Sequence, residues 1–424
     1  MHWETLLSTP ANLLRPLQNC RKAAQMLRAA TTIRKNAVLE HVVKNLLEQQ
    51  ARILKANAQD LKSLDKKITP AFRDRLLVNE TKIRQMAESL RQVAALSDPV
   101  GEVVETKTLT NGLRFKRVRS PLGVIYMIFE SRPNVAIEAF SLAFKSGNVI
   151  ILRGGKESMR TVSAFYQIIS DSLKQNGFPA SCLWGITNPD RKLTSALLKQ
   201  RAHIDVVVPR GGDGLIKFVV ENSEIPIIKN DRGLCHVYAH EDADIEMAIQ
   251  IVENAKVQRP GVCNSMETLL VHESVAPALI PALYKKISVE WYGCPVTRKL
   301  LKGCKNVRPA NSKNWDTEYL DLKMNCRVVK SLQQAIEHIE LHGSRHSEAI
   351  VTRSTAAAKL FQSEIDAAAV YWNASTRFTD GFEMGLGGEL GISTQKLHVR
   401  GPVGLRELTS IRWLGDGQGQ IRRS

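Results

Sequence analysis

Between residues 121 and 229 the chain repeats one unit, a short apolar run followed by a turn and a helical stretch. Residues 122–129, 148–152, 183–187, 204–208 and 226–229 read as five strands. Helices are expected over 135–145, up to about 176, over 192–200 and up to about 222. Strands joined in this way by helices predict a parallel, doubly wound sheet. Twice a strand runs into a Gly-Gly turn that opens a helix, at Arg153-Gly-Gly-Lys156 and at Pro209-Arg-Gly211-Gly212-Asp213. Bare glycines let backbone amides approach an anion, and a helix N-terminus adds partial positive charge. Neither turn is a G-x-G-x-x-G fingerprint, and either alone could be a tight corner. Two of them at the carboxyl ends of strands in one sheet, with Arg153 and Lys156 beside one, point to a nucleotide site. Arg153, Lys156, Gly211 and Gly212 are its candidate residues.

A second α/β unit begins near residue 232, with strands expected at 235–239, 267–272, 326–329 and 348–352. Helices are expected at 243–255, 275–287 and 332–342, and residues 290–319 read as irregular. The stretch Lys256-Val-Gln-Arg259-Pro-Gly-Val-Cys263-Asn-Ser lies between the first helix and the second strand. Proline removes an amide donor and glycine relaxes the backbone, so the helix must stop and Cys263 must sit in a turn. With Lys256 and Arg259 upstream, a thiol there is placed to ionise, and the thiolate is the nucleophile. The competing reading is a small buried hydrophobe. The polar turn and the preceding phosphate-binding pattern favour the nucleophile. Farther on, Tyr371-Trp-Asn-Ala-Ser375-Thr-Arg377 ends a strand in a loop rich in Ser, Thr, Arg and Gly, which suits substrate binding. Arg132, Arg259 and Arg377 are candidates to grip a phosphate or carboxylate, because the guanidinium fork matches those groups; a structural ion pair is the alternative for each.

Outside these units, apolar spacing predicts a helix pair over 20–61 and a further helix over 80–95. The first fifteen or so residues are expected to be dispensable. Asn111-Gly112 lies between two alternating runs, 103–110 and 113–119, a strong hairpin signal. Its strands carry more charge than a core accepts, so the hairpin should pair elsewhere, including with another subunit. The chain of 424 residues is too long for one core. Seven scattered cysteines, with no C-x-x-C pair, argue for reduced thiols in a cytoplasmic setting and against a disulfide framework or a metal site. The formal charge of +17 admits an anionic substrate, a nucleic acid or a merely basic surface. Lysine and arginine are spread without a dense basic tract or interleaved aromatics, which speaks against nucleic acid. No apolar run is long enough to span a membrane.

Several longer motifs carry a resemblance. They are Glu130-Ser-Arg-Pro-Asn134, Lys145-Ser-Gly-Asn148, Ile151-Leu-Arg-Gly-Gly-Lys156-Glu, Val208-Pro-Arg-Gly-Gly212 and Cys235-His-Val-Tyr238. Gln258-Arg-Pro-Gly-Val-Cys263-Asn-Ser-Met-Glu-Thr-Leu-Leu-Val-His272, Asn373-Ala-Ser-Thr-Arg-Phe-Thr-Asp-Gly381 and Ser393-Thr-Gln-Lys-Leu-His-Val-Arg-Gly-Pro402 complete the set. From about residue 20 to its end the chain resembles the γ-glutamyl phosphate reductase (glutamate-5-semialdehyde dehydrogenase) family of proline biosynthesis, within the aldehyde dehydrogenase superfamily.

The resemblance implies NADPH-dependent reduction of L-glutamyl 5-phosphate to glutamate 5-semialdehyde with release of phosphate. Cys263 would be acylated, and Asn134 would supply an oxyanion-hole side chain beside the Cys263 amide. An aldehyde-dehydrogenase-like α/β fold follows. It would have a Rossmann-type cofactor domain (1–100 and 121–232, with part of 372–400), a catalytic domain (233–371) and a small β oligomerisation element (101–120 and 401–424). A homo-oligomer is expected, with the upstream glutamate kinase as a candidate partner. Departures from the family pattern are Asp213, where lysine is common, Gly261, Ser265 and Met266 around the nucleophile, and Gly233-Leu234. The stretch 231–238 lacks the glutamate base with which hydrolytic aldehyde dehydrogenases release their thioester. A coenzyme A-acylating or hydrolytic aldehyde dehydrogenase, or a non-catalytic scaffold of the same fold, are the alternatives.

Overall fold

The computed structural model describes residues 11–65, 68–130, 132–188, 190–229 and 232–422. The chain forms two compact units, one of Met1–Lys229, Gly385–Gly391 and Val403–Ser424, the other of Asn230–Met384 and Ile392–Pro402. Among the described residues no helix is long and apolar enough to cross a membrane.

In the first unit the strands are β1 (Val103–Thr108), β2 (Arg114–Pro121), β3 (Val124–Phe129), β4 (Val149–Arg153), β5 (Leu183–Ile186) and β6 (Val206–Arg210). The last four form a parallel sheet in the order β5-β4-β3-β6. All six residues of β3 are buried, as a central strand covered on both faces requires. The expected fifth strand at 226–229 reduces to one parallel bridge, Val207 to Ile227. Pro226 has no N–H to donate, so its carbonyl alone serves Val207 N. The helices Val135–Lys145 and Met159–Gln175 connect the strands, and their apolar positions are buried.

The expected N-terminal helix pair is three helices, Ala11–Arg28, Thr32–Glu48 and Gln50–Lys62. Thr31 caps the second by accepting from Arg34 N. The second and third are split only at Gln49, without glycine or proline, which is why apolar spacing alone does not show the break. The expectation that the N-terminus is dispensable falls on residues 1–10, outside the described residues, and on the start of the first helix.

Strands β1 and β2 form the expected hairpin, with Gly112 in the left-handed region at φ +84°. The loop closes between Leu109 and Leu113, and the Asn111 side chain accepts from Leu113 N. The strand Thr409–Asp416 of the same chain adds antiparallel to β2, giving a three-stranded sheet. Every residue of β1 is exposed.

The second unit contains β7 (Cys235–Ala239), β8 (Met266–His272), β9 (Glu290–Gly293), β10 (Val307–Pro309), β11 (Lys323–Val329), β12 (Ser347–Val351) and β13 (Ala369–Trp372). They make a seven-stranded parallel sheet in the order β10-β9-β11-β8-β7-β12-β13. Successive side chains serve opposite faces. Val237, Leu269, Val271, Ala349 and Val351 pack with the helices Ile245–Val257 and Ala276–Lys286. Tyr238, Leu270 and Ile350 pack with Leu332–His342 and Thr355–Glu364. Residues 290–319, expected to be irregular, hold β9, β10 and two short helices. These edge elements are too short to show a period, and only Trp291 of β9 is a large side chain at 0 % exposure.

Candidate active site

In the second unit the helix Ile245–Val257 ends one residue before Gln258, and β8 starts at Met266, so Cys263 lies in a turn as expected. Ser265 fixes the turn from both sides. Its N–H donates to Val262 O at 3.1 Å, and its hydroxyl donates to Ala255 O in the helix at 3.2 Å. The Cys263 residue is half-buried, and none of the seven cysteines is in a disulfide.

Asn264 is buried, and its side-chain amide donates to Thr379 O at 2.8 Å and Arg377 O at 3.4 Å. Its side-chain oxygen accepts from Arg377 Nη1, and its backbone oxygen accepts from the Thr376 hydroxyl at 2.8 Å. The loop 375–379 therefore docks on the residue that follows Cys263. Arg377 is held on its other side by Gln258 Oε1, at 3.0 Å from Nε. Burial and the nearby Arg259 cation pull the Arg377 pKa down, while Asp380, Cys263 and Glu383 hold it up. Arg377, Arg259 and Cys263 thus share one electrostatic neighbourhood. The Ser375 hydroxyl accepts from Arg377 N at 3.3 Å, capping the short 3-10 turn Thr376–Phe378.

Lys256 is placed differently from the sequence expectation. It is buried at 0 % exposure and its ammonium bonds the Glu267 carboxylate at 2.8 Å. Burial lowers the lysine pKa and raises that of the glutamate, and their attraction opposes both shifts. Its charge is committed to Glu267, and the guanidinium that bonds the turn is that of Arg377, through Asn264. The sequence could not show this, because Arg377 lies more than a hundred residues downstream.

Two further residues touch Cys263, Cys235 at the start of β7 and Gly233 just before it. The buried Cys235 thiol donates to Cys263 O at 3.2 Å. A Cβ on Gly233 would fall 1.6 Å from that same oxygen, so only glycine fits.

The remaining candidates are in the first unit. Asn134 precedes the helix Val135–Lys145, and its side-chain amide donates to Glu138 Oε1 at 2.8 Å. Glu138 is in turn 3.8 Å from Arg210 Nη1. Arg132 N donates to Glu130 O at 2.6 Å. Arg153 ends β4, in register with Ile128 and Ile186, and the exposed Lys156 opens the next helical turn. Gly212 caps the helix Asp213–Asn222, and its N–H donates to Glu130 Oε2 at 3.0 Å. A Cβ on Gly211 would come within 2.5 Å of the Glu130 carboxyl carbon. The second Gly-Gly turn does hold an anion, but a carboxylate of the protein itself. Asp213 is exposed at the start of that helix.

The model of the aldehyde dehydrogenase family matches residues 8–301. A γ-glutamyl phosphate reductase of Carboxydothermus hydrogenoformans is 48% identical over 409 residues, covering 96% of this chain and 98% of that protein. The crystal structure of γ-glutamyl phosphate reductase from Thermotoga maritima is similar at a TM-score of 0.93 and 44% identity, covering 97% of this chain and 100% of that one. An engineered glycolyl-CoA reductase with bound NADP+ shares the fold, at a TM-score of 0.68 and 16% identity over 94% of this chain and 95% of that one. The fold is aldehyde-dehydrogenase-like, and the chain belongs to the aldehyde dehydrogenase family and, within it, to the γ-glutamyl phosphate reductases.

Proposed function

We propose that this chain reduces L-glutamyl 5-phosphate to L-glutamate 5-semialdehyde, releasing phosphate, through a thioester on Cys263. The observation that carries the mechanism is the Cys263 turn, locked by Asn264, whose side-chain oxygen accepts from the Arg377 guanidinium. The cation favours the thiolate. The thiolate attacks the acyl carbon, the C–O bond to phosphate breaks, and phosphate leaves with one proton, needing no strong general acid. Asn134 and the Cys263 backbone amide are the proposed donors to the developing oxyanion. Arg132, Arg259, Arg377 and Ser375 are the proposed contacts to the substrate's charged ends.

The family implies a nicotinamide cofactor. The first unit fits one: two Gly-Gly turns follow parallel strands, one beside Arg153 and Lys156, and the Gly212 amide already binds a carboxylate oxygen. Arg153, Lys156, Gly211 and Gly212 would hold it, and we assign NADPH on the charge of Arg153 and Lys156. When bound, the cofactor supplies the hydride that takes the thioester to the aldehyde level. Hydrolysis of the thioester is the competing reaction. Of the two buried glutamates among the described residues of the second unit, Glu267 is bonded to Lys256, and Glu348 bonds His236 through Oε2 at 2.9 Å.

Absorbance of NADPH formed from the semialdehyde, NADP+ and phosphate tests the reading. Strict dependence on phosphate is expected. Turnover with coenzyme A in place of phosphate would instead mark an acylating dehydrogenase, and turnover with neither a hydrolytic one. Cys263→Ser is expected to abolish turnover while NADPH binding stays near wild type. Retention of on the order of a hundredth of wild-type turnover would remove Cys263 from its role.

A further inference from the structure

We infer that Cys235 is a positioning residue for the nucleophile, with Gly233 as its steric counterpart. The inference rests on Cys263 being the acylated residue. The Cys263 carbonyl oxygen is boxed on two sides by the entry to β7. The Cys235 thiol donates to it at 3.2 Å, and the Gly233 backbone lies so close that a Cβ would be 1.6 Å away. Fixing that oxygen fixes the plane of the 263–264 peptide, and with it the backbone from which the Cys263 thiol projects.

The contact is the end of a chain of buried groups. Cys235 Sγ is 3.7 Å from His346 Nδ1, and that nitrogen is 2.8 Å from the Ser347 hydroxyl. Ser347 donates to the Thr379 hydroxyl at 2.6 Å, which also contacts the Tyr371 hydroxyl at 2.8 Å. Thr379 returns to the nucleophile turn through its carbonyl, which accepts from Asn264 Nδ2 at 2.8 Å. The two residues on either side of the 263–264 peptide are thereby tied to one closed ring. Cys235, His346 and Ser347 are each 0 % exposed. Burial pushes the Cys235 thiol pKa well up, so Cys235 is a neutral S–H donor and does not compete with Cys263 as a thiolate. Burial likewise drives the His346 pKa down to about 4, so the imidazole is neutral at the pH of catalysis.

Removing the sulfur releases the Cys263 carbonyl without touching substrate or cofactor. An ångström-scale drift of a reacting group costs on the order of a hundredfold in rate. Cys235→Ala is therefore expected to lower kcat by about ten- to a hundredfold with KM within about twofold. Cys235→Ser keeps a donor whose shorter bond does not reach as well, and should fall between wild type and the alanine variant. Alkylation of Cys263 by iodoacetamide, read on its peptide by mass spectrometry against pH, should slow with the same ranking. Cys326→Ala is the packing control. Cys326 is also 0 % exposed in this sheet, but it pairs with Leu269 of β8 and its sulfur accepts from Thr297.

An equal kcat loss in Cys326→Ala would reduce Cys235 to packing and overturn the inference. So would wild-type kcat in Cys235→Ala, or losses carried by KM. If the alanine variant does not fold, the serine variant decides: a kcat drop of threefold or more at unchanged KM supports positioning, and wild-type kcat overturns it. Activity surviving in Cys263→Ser would instead defeat the nucleophile assignment, a separate failure.

Discussion

The side-chain amide of Asn264 donates to the carbonyl of Thr379 at 2.8 Å, joining the residue after Cys263 to a loop 115 positions away. Arg377 lies in that loop, so its guanidinium is held by the neighbour of Cys263. Asn264→Ala removes the bonds to Thr379 and Arg377 and leaves their buried partners unmet, a cost of about 1–3 kcal/mol per group. The expected result is a Cys263 alkylation profile shifted to higher pH and a kcat reduced by ten- to a hundredfold, roughly, as its conjugate loss. Alkylation and kcat both at wild-type values would show that the loop docks without Asn264.

Arg377→Lys separates charge from shape. Lysine keeps a cation near Cys263 but cannot reproduce both the Gln258 and Asn264 contacts, because it lacks the fork. The thiolate should survive, and KM for phosphate in the oxidative direction should rise by about tenfold through the lost fork. An unchanged KM, measured in steady state with the semialdehyde and phosphate, would assign Arg377 to the protein alone.

The Glu130 carboxylate sits on the Gly212 amide at a helix N-terminus, where an anionic cofactor would also be attracted. Glu130→Gln keeps the shape and removes the charge, and is expected to tighten NADPH and NADH alike by severalfold. Lys156→Ala is expected to weaken NADPH by about ten- to a hundredfold while leaving NADH nearly unchanged. Fluorescence titration of both variants with both cofactors checks this. Equal losses for the two cofactors in Lys156→Ala would mean that Lys156 contacts something they share.

Strands and helices of the two parallel sheets were readable because β3, β4, β6 and β8 are short apolar runs bounded by turn residues, and Cys263 because Pro260 and Gly261 end its helix. Four features were not readable from local pattern. The split at Gln49 carries no breaker, and β9 and β10 are too short to have a period. Lys256 reads as an activating charge until its buried partner, Glu267, is known. Cys235 stands in the sequence only as one of seven scattered cysteines, and the parallel pairing of β7 with β8 brings its sulfur to the Cys263 carbonyl. At Gln49 no breaker residue marks the split, β9 and β10 are shorter than one sequence period, and for Lys256 and Cys235 the partner becomes known only once the strands pair.

The three-stranded sheet of β1, β2 and Thr409–Asp416 leaves Val103 at 51 % and Trp413 at 57 % exposure, with Ile411 and Leu414 also exposed. Exposed apolar side chains on an open edge invite pairing with another chain. A homo-oligomer assembled through this sheet is the proposal. Val103→Lys with Trp413→Lys should shift the light-scattering mass to a smaller species. An unchanged mass would remove the sheet from assembly.

His346 sets an acid limit on the second unit. Its folded pKa of about 4 lies below the ordinary histidine value of 6.5, because the buried ring at 0 % exposure cannot be solvated when charged. The unfolded chain therefore binds this proton first as pH falls. The histidine's contribution is fully present above pH 6.5 and is lost as pH drops through the window toward 4. Over that window the loss is on the order of 3 kcal/mol. His338, driven down to about 2 by burial and by the charges of His236, Arg327 and His342, acts with the same sign over a wider window. His346→Gln cannot take up the proton, so its stability should fall less between pH 6.5 and 4 than that of the wild type, although it is lower at pH 7.5. Urea unfolding followed by circular dichroism at pH 7.5, 6.5, 5.5 and 4.5 measures the difference. Curves that run parallel across those four values would show that His346 does not titrate in the transition and that the acid limit lies elsewhere.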